Sequence, residues 1–552
     1  MKKSLYRGLT ALTLSTALVG LSTSCTKDLD QTPKYELTPD KVYTGLAGYK
    51  QVLAKLYGGF ALTGPSGPGS GDIVGIDAGT SDYIRQWWSA QELTTDEAVI
   101  AWNDPGVQEW HRMNWDASDP LTRGFYSRLY YEIAICNEFL REATDDKLSS
   151  RLGSGEVAQG KLFRAEARFL RAVAYSHVID LFGNGPFVTE KDAVGGSLPP
   201  YNTRQQLYNF VESELLAVAG DLAPARTNEY GRVDQAAAHG MLAKLYLNAG
   251  VYTGTAQYAK AATEAKLAID GYSTGGTPYL NTTASTAASA YGRVFLADNN
   301  VAPAKDEIIW PVIFDVNNVQ SYGGTTFLVN GATSGADAAW QRLVGQSTGW
   351  GGLRTTSALF DKFFLAGGDT LRDRRGRFYT RGQTLAINDL SQFTQGLGVV
   401  KFRNVTSAGT GVGAPLNFSS VDFPMLRVAD MMLIYAEAAA RGNADRATAL
   451  GYVNRIRRRA FGFPVGTTSS ADITDTQMTA DFILDERARE MHWEGTRRSD
   501  LIRYGKFTEN TYLWPWKGGV AAGQAVDAKY KLFPIPASDL TANPNLRQNP
   551  GY

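Results

Sequence analysis

The chain has 552 residues, of which 43% are hydrophobic and 20% charged, with 55 basic and 55 acidic side chains. That is an ordinary globular composition, long enough for a large core and for two to four domains on length alone. No basic run or stripe is present, which excludes nucleic acid as an expected partner, and two cysteines with four scattered histidines offer no metal-ligand spacing.

The first segment reads as an address rather than as structure. Lys2, Lys3 and Arg7 precede an apolar run, Leu9 to Leu21, that is too short to span a bilayer. The run ends in Leu-Ser-Thr-Ser-Cys, and a Cys after small residues at that junction predicts a bacterial lipoprotein signal over residues 1–24, with Cys25 lipidated. Ser22 stands three before the Cys where Leu is usual. Removing the signal deletes three basic residues and no acid, so the body is faintly acidic. No later stretch reaches eighteen apolar residues, so a soluble body anchored only by acyl chains is expected. Cys136, in an apolar helical pattern, is expected to be a buried small hydrophobe.

After a polar tether (25–39), apolar periodicity predicts a helix over Leu46–Leu62, with Tyr49, Leu53, Leu56, Tyr57 and Phe60 on one face. A flexible Pro/Gly/Ser loop follows at Pro65–Gly71. Further helices are expected over Leu121–Ala143, Gly160–Phe182, Thr203–Leu222, Asp234–Ala249 and Ala256–Asp270. The last two form a helix–turn–helix with small residues (Ala243, Ala249, Ala259, Ala261, Ala265) where helices approach, as in tetratricopeptide hairpins. A second copy lies at Met431–Ala440 and Ala447–Ala460, and a long helix is expected over Phe482–Tyr504, with Glu494 and Arg498 placed to pair. The Arg and Glu of that helix are expected to lock helices together. Periodicity fails between Gly271 and Phe423 apart from β-like runs at Ile308–Phe314 and Gly398–Phe402. With Trp310, Tyr322, Trp340 and Trp350, this region is too aromatic for disorder and is expected to form ordered binding loops. The fold class is thus mainly α: a helical-repeat scaffold at about 40–62, 121–270 and 424–505, with irregular loops at about 63–120 and 271–423.

Five of the eleven tryptophans fall in one window, Asp77 to Trp115: Trp87, Trp88, Trp102, Trp110 and Trp115, interleaved with Asp77, Arg85, Asp96, Glu97 and Asn103. Trp is mostly buried, so core filling is one account of them. The other is a pyranose site, since sugar C–H groups stack on aromatic faces while Asp, Asn and Arg pair with hydroxyls.

Catalytic signatures do not assemble. Two G-x-S-x-G matches, at Gly271 and Gly345, lack the strand and helix that a nucleophile elbow needs. Adjacent Asp96 and Glu97 would point about 100° apart on a helix, a poor arrangement for flanking one glycosidic bond, and a charge at a helix start is the expected role. Of the histidines, His177 and His239 lie on amphipathic helices, and His111 is the one within the tryptophan window. No enzyme activity and no cofactor or metal is expected.

Four stretches together carry a resemblance: LDERAREMHWEGTRRSDLIRYGKF, RAEARFLRAVAYSHVIDLFGNGPF, FPMLRVADMMLIYAEA and the ending FPIPASDL…NPNLRQNPGY. They resemble the SusD/RagB family of outer-membrane nutrient-binding lipoproteins of the Bacteroidetes, over nearly the whole chain from residue 40 to 552. YIRQWWSAQELTTDEAVIAW, YLNAGVYTGTAQYAKA, SYGGTTFLVNG and YLWPWKGG are similar to its starch-binding branch. The resemblance implies a single domain of tetratricopeptide-like helix pairs with an irregular ligand-binding region. It also implies capture of starch or maltooligosaccharides and a SusC-like TonB-dependent transporter as partner. The binding positions carried over are Asp77, Arg85, Trp102, Tyr322 and Trp350. Where that branch has an Asn three residues after the Trp, this chain has Pro105, and Asn103 is the substitute. Against this stand a different glycan or a peptide as ligand, a lipid-anchored glycosidase, and a purely structural helical-repeat scaffold.

Overall fold

The computed structural model describes residues 38–363, 373–412 and 417–552. The signal segment, Cys25 and nearly all of the tether lie outside the described residues.

Helices build the frame. The first, α1 (Gly45–Gly58), buries Tyr49, Leu53 and Leu56, the face that periodicity predicts. The Trp window supplies α2 (Tyr83–Glu92), whose N-terminus is capped by Asp82 accepting from the Arg85 N–H. Then come α3 (Pro120–Glu142), capped by Asp119, and α4 (Val157–Leu181), apolar on most sides and sunk into the core. A Thr203–Gln206 capping box opens α5 (Arg204–Ala219). Asp234 caps α6 (Gln235–Leu247), and α7 (Tyr258–Gly271) completes the first predicted hairpin. Ala243, Ala249, Ala261 and Ala265 are buried between neighbouring helices, whereas Ala259 faces solvent. Next is α8 (Gly324–Gly331), in the region where no helix was expected. The second hairpin is α9 (Val428–Ala440) and α10 (Arg446–Phe461), the latter closed by Gly462 at φ 80°.

The helices stack in sequence, each on the next from α3 to α7, and α9 continues the stack directly on α7. The two hairpins are therefore neighbours in space, with the chain between them making a long excursion. One continuous hydrophobic core runs from Tyr43 to Ile535 and takes in buried Cys136.

Among the described residues the strands are short and paired in twos. Two pairs matter. In the first, β1 (Val99–Ile100) is antiparallel to β3 (Leu353–Arg354), with Ile100 opposite Leu353. In the second, β2 (Ile308–Val312) is antiparallel to β4 (Phe423–Arg427), which runs directly into α9 and closes the excursion at its root. Strand β4 was not anticipated, because its five residues are all buried and so show no alternation.

The single helix expected over Phe482–Tyr504 is two, α11 (Ala480–Met491) and α12 (Arg497–Arg503). Trp493 (φ 62°) and Gly495 (φ 73°) are left-handed and break it. The break is held by buried partners: the Trp493 indole donates to the Glu97 carbonyl at 3.1 Å, and the Gly495 and Thr496 amides donate to the Glu92 carboxylate at 2.7 and 3.2 Å. It also separates the expected pair. Glu494 instead accepts from Lys401 and Arg427 at 2.7 and 2.6 Å, and Arg498 donates to the Lys531 carbonyl at 2.8 Å. The Arg and Glu side chains do lock helices, through a buried network in which Glu490 accepts from Arg375, Arg427 and Arg459. The loop expected to be flexible at Pro65–Gly71 is closed on itself: the Asp72 amide donates to the Thr63 carbonyl at 2.8 Å and the Thr63 hydroxyl to the Ser70 carbonyl at 2.7 Å.

Candidate functional site

Four of the five window tryptophans are core. Trp88 donates to the Trp493 carbonyl at 3.0 Å, Trp110 to Asp119 at 3.1 Å, Trp115 to the Tyr552 hydroxyl at 2.8 Å, and Trp87 stacks on His177 with centroids 5.3 Å apart. Trp102 alone is half-exposed. The density of tryptophan in this window is therefore mostly a packing signal.

The β1–β3 ladder explains where Trp102 sits. Ala101 continues the pairing by donating to the Gly352 carbonyl at 2.9 Å, which carries Trp102 to the turn that holds Trp350. The Trp102 indole donates to the Trp350 carbonyl at 3.2 Å. Gly352 makes this approach possible, because a Cβ there would collide with the indole ring. The two rings lie 6.3 Å apart at 44°.

A second constraint places Tyr322. Asp82 caps α2 with one carboxylate oxygen and accepts from the Ser321 hydroxyl at 2.8 Å with the other, fastening the Ser321–Gly323 turn to the helix that carries Arg85. Burial pushes the Asp82 carboxyl up, against the hydrogen bonds that favour its charge. Tyr322 emerges 47% exposed, its ring 6.3 Å from Trp350 at 53° and backed by Phe418 at 5.3 Å. Trp102, Trp350 and Tyr322 thus form a run of three partly exposed rings, evenly spaced and each tilted against the next.

Polar groups flank one end of this row. The Arg85 guanidinium lies 4.7 Å over Phe327 and 5.9 Å from the Trp102 ring centre. Among the described residues it makes no ion pair or hydrogen bond, and burial lowers its pKa, an effect opposed by Asp82, Asp77 and Asp104. Asp77 is exposed. One of its oxygens accepts from the Gly79 amide at 2.8 Å and the Thr80 amide at 3.3 Å, while the Gly79 carbonyl accepts from Gln86 at 2.7 Å. The turn so fixed sets Asp77 and Arg85 on either side of Gly79. An unpaired cation beside a carboxylate with a free oxygen, at the edge of a run of tilted rings, is chemistry for hydroxyl groups.

Asn103 is the exception. Along an extended chain successive side chains point apart, and Asn103 lines a different depression from the row that Trp102 joins. Sequence reasoning missed Phe327, the platform behind Arg85 and Trp102, along with the Asp82–Ser321 clamp and Gly352. An Asp just before a helical run and a Gly-Trp-Gly-Gly stretch were the available signals.

The acidic pair is unavailable for catalysis on a bound chain. Asp96 is fully buried and bonded to Arg497 twice at 2.7 Å. Glu97 is buried against Glu92. Neither sits at a helix start; they are core ion-pair groups. His111 is also buried, bonded to the Leu93 carbonyl at 3.0 Å, and burial lowers its pKa to about 4. A cavity of about 80 Å³ between α4, α6 and α12 has polar walls that satisfy one another, with Asp180 accepting from Tyr252 and Ser499 at 2.8 and 2.9 Å.

Comparison with known proteins gives a consistent result. Residues 375–552 match the family model described as the SusD family. The chain is 33% identical to the starch-binding protein SusD of Bacteroides thetaiotaomicron, with all of both chains covered. It is 24% identical to SusD-like protein P25 of Formosa agariphila, over 96% of this chain and 97% of that one. Among solved structures, a SusD homolog from Bacteroides thetaiotaomicron superposes with a TM-score of 0.69 at 21% identity, covering 92% of this chain and 97% of that one. Surface glycan-binding protein A from Bacteroides uniformis gives 0.64 at 20% identity, covering 91% and 99%. These last two likenesses establish a shared fold.

Proposed function

The chain belongs to the SusD family, and from that premise we propose that it is a surface glycan-binding lipoprotein that captures starch-like α-glucans without cleaving them. The observation that carries this reading is the row Trp102–Trp350–Tyr322, with two equal spacings of 6.3 Å and turns of 44° and 53°. Successive tilts in a row of rings favour a chain that bends, as a helical α-1,4-glucan does, over a flat β-1,4 chain. Arg85 and Asp77 then pair with hydroxyls at one end of the row, and the side chains of Asp96 and Glu97, sealed in the core, cannot flank a glycosidic bond of a chain bound there.

Each stack contributes about 1 kcal/mol, so one site binds in roughly the micromolar to millimolar range. Weak binding suits a protein that must release its ligand, and the partner in this reading is a SusC-like TonB-dependent transporter that receives the oligosaccharide. Among the described residues no helix is long and apolar enough to cross a membrane, which accords with attachment to the outer membrane through lipid on Cys25.

The test is calorimetric titration of residues 26–552 with maltoheptaose and with a linear β-glucan oligomer, repeated for Trp102→Ala. Heat from the α-glucan alone, lost in the variant and without product, supports the proposal. Equal binding of the β-glucan, or sugar release, overturns it.

A further inference from the structure

Trp516 stands apart from the other ten tryptophans. Each of the others is buried in the hydrophobic core or packed against it; Trp516 is half-exposed and belongs to no hydrophobic cluster among the described residues. Its backbone is left-handed, at φ 71°, a conformation that bulky residues avoid and that concentrates at functional sites. Its indole N–H donates to the Ile387 carbonyl at 3.0 Å, which fixes the ring without covering it.

Trp516 lines a depression of about 180 Å³ with Asn103, Gln108, Arg112, Asn388 and Asp389. Three of these carry unspent hydrogen-bonding capacity among the described residues. Arg112 is exposed, and its guanidinium has neither an ion pair nor a hydrogen bond. The Asn103 amide is likewise exposed and unpartnered. Gln108 is 7% exposed; its Nε2 donates to the carbonyls of Ile100 and Trp102 at 3.2 and 2.5 Å, which leaves its Oε1 buried without a partner. A buried acceptor of this kind is ordinarily met by an ordered water, which would lie at the floor of the depression. The volume is below the roughly 300–1,000 Å³ of pockets for drug-sized ligands, and suits a single sugar ring.

We propose that this depression, lined by Asn103 next to Trp102 in the chain, is a second sugar-binding site, engaging another stretch of the same polysaccharide. Trp516 supplies the stacking face, Arg112 and Asn103 donate to hydroxyls, and Asp389 accepts from them. The site takes one pyranose weakly, and its effect is avidity: a polymer held at two points dissociates far more slowly than an oligosaccharide held at one. The proposal rests on the glycan-binding reading given above.

The experiment compares retention of the wild type, Trp516→Ala, Trp102→Ala and the double variant in native gels containing amylopectin, with maltoheptaose titrations alongside. Trp516→Ala is expected to weaken amylopectin retention about tenfold while the arc still binds maltoheptaose. Trp102→Ala should keep a residual retention that the double variant loses. Wild-type retention by Trp516→Ala, or complete loss in Trp102→Ala alone, overturns this second site and leaves the arc intact. Retention that depends on Trp516 and not on Trp102 upholds the second site and overturns the arc. A wild type that is not retained and binds no maltoheptaose overturns both. Should Trp516→Ala not fold, Arg112→Ala, at an exposed position, carries the same expectation.

Discussion

The indole nitrogen of Trp102 donates to the main-chain oxygen of Trp350 at 3.2 Å, a contact between residues 248 positions apart. On the proposed reading one side chain is thus both a binding surface and the fastener of its neighbour. Trp102→Ala is expected to weaken maltoheptaose binding by more than about tenfold, against about fivefold for Tyr322→Ala, whose loss removes a single stack of about 1 kcal/mol. Trp102→Phe, which keeps a ring but loses the hydrogen bond, should fall between them. Calorimetry on the three variants checks the order.

Gly352 should matter without touching ligand. Its added methyl would occupy the space of the Trp102 indole, so Gly352→Ala is expected to reduce affinity as much as Tyr322→Ala. A change in tryptophan fluorescence of the free protein would report the displaced ring.

The buried acids give the fold a two-sided pH dependence. Burial, with the Asp96 charge beside it, pushes the Glu97 carboxyl up to about 7 against the pull of Arg497, and burial with Glu97 raises Glu92 well above its usual range. The folded chain therefore binds protons that the unfolded chain has released, and this pair loses stabilising effect as pH rises from about 4.5 towards 7. Asp96 works the other way: Arg497 overcomes the burial penalty and holds it at about 2, so its contribution is present above about pH 4 and lost on further acidification. Glu97→Gln should flatten the decline between pH 5 and 7 by more than about 1 kcal/mol. Urea unfolding across that range measures it.

The Glu490 carboxylate joins three arginines, each fully or almost fully buried. Glu490→Ala would leave Arg375, Arg427 and Arg459 with one acceptor fewer in the core. Breaking a buried pair costs roughly 3–5 kcal/mol, and a matching drop in the urea midpoint is expected.

Much of the frame was legible because helices announce themselves by period and by caps. The hairpins at Gln235–Gly271 and Val428–Phe461 stand where the helical pattern, the short turns and the small residues put them. The break at Trp493 was not legible, since nothing in a tryptophan signals φ 62°; the cause lies in Glu92 and Glu97, some four hundred residues away. The same distance problem affects the site. Trp102, Tyr322 and Trp350 were singled out by type and by resemblance, but their meeting depends on a two-residue ladder too short to leave a pattern and on the Asp82–Ser321 clamp between distant residues. Asn103 was grouped with Trp102 on adjacency, and adjacency along an extended chain puts side chains on opposite faces. Trp516 was passed over because its isolation from the core is a tertiary fact.

The direct stacking of α9 on α7 has a further consequence, for how the protein is made. The chain leaves the helical stack at Tyr272 and rejoins it at Arg427, and the β2–β4 pair stitches the two ends together. Closing so long a loop adds little to the equilibrium cost, which grows only logarithmically with length, but contacts of such separation slow folding. While synthesis proceeds from the N-terminus, the α7 face destined for α9 stays wet until the last quarter of the chain arrives. On the proposed reading, in which the chain is exported, it is at its most adhesive midway through translocation, so a periplasmic holdase should associate most strongly with fragments ending between Gly271 and Arg427.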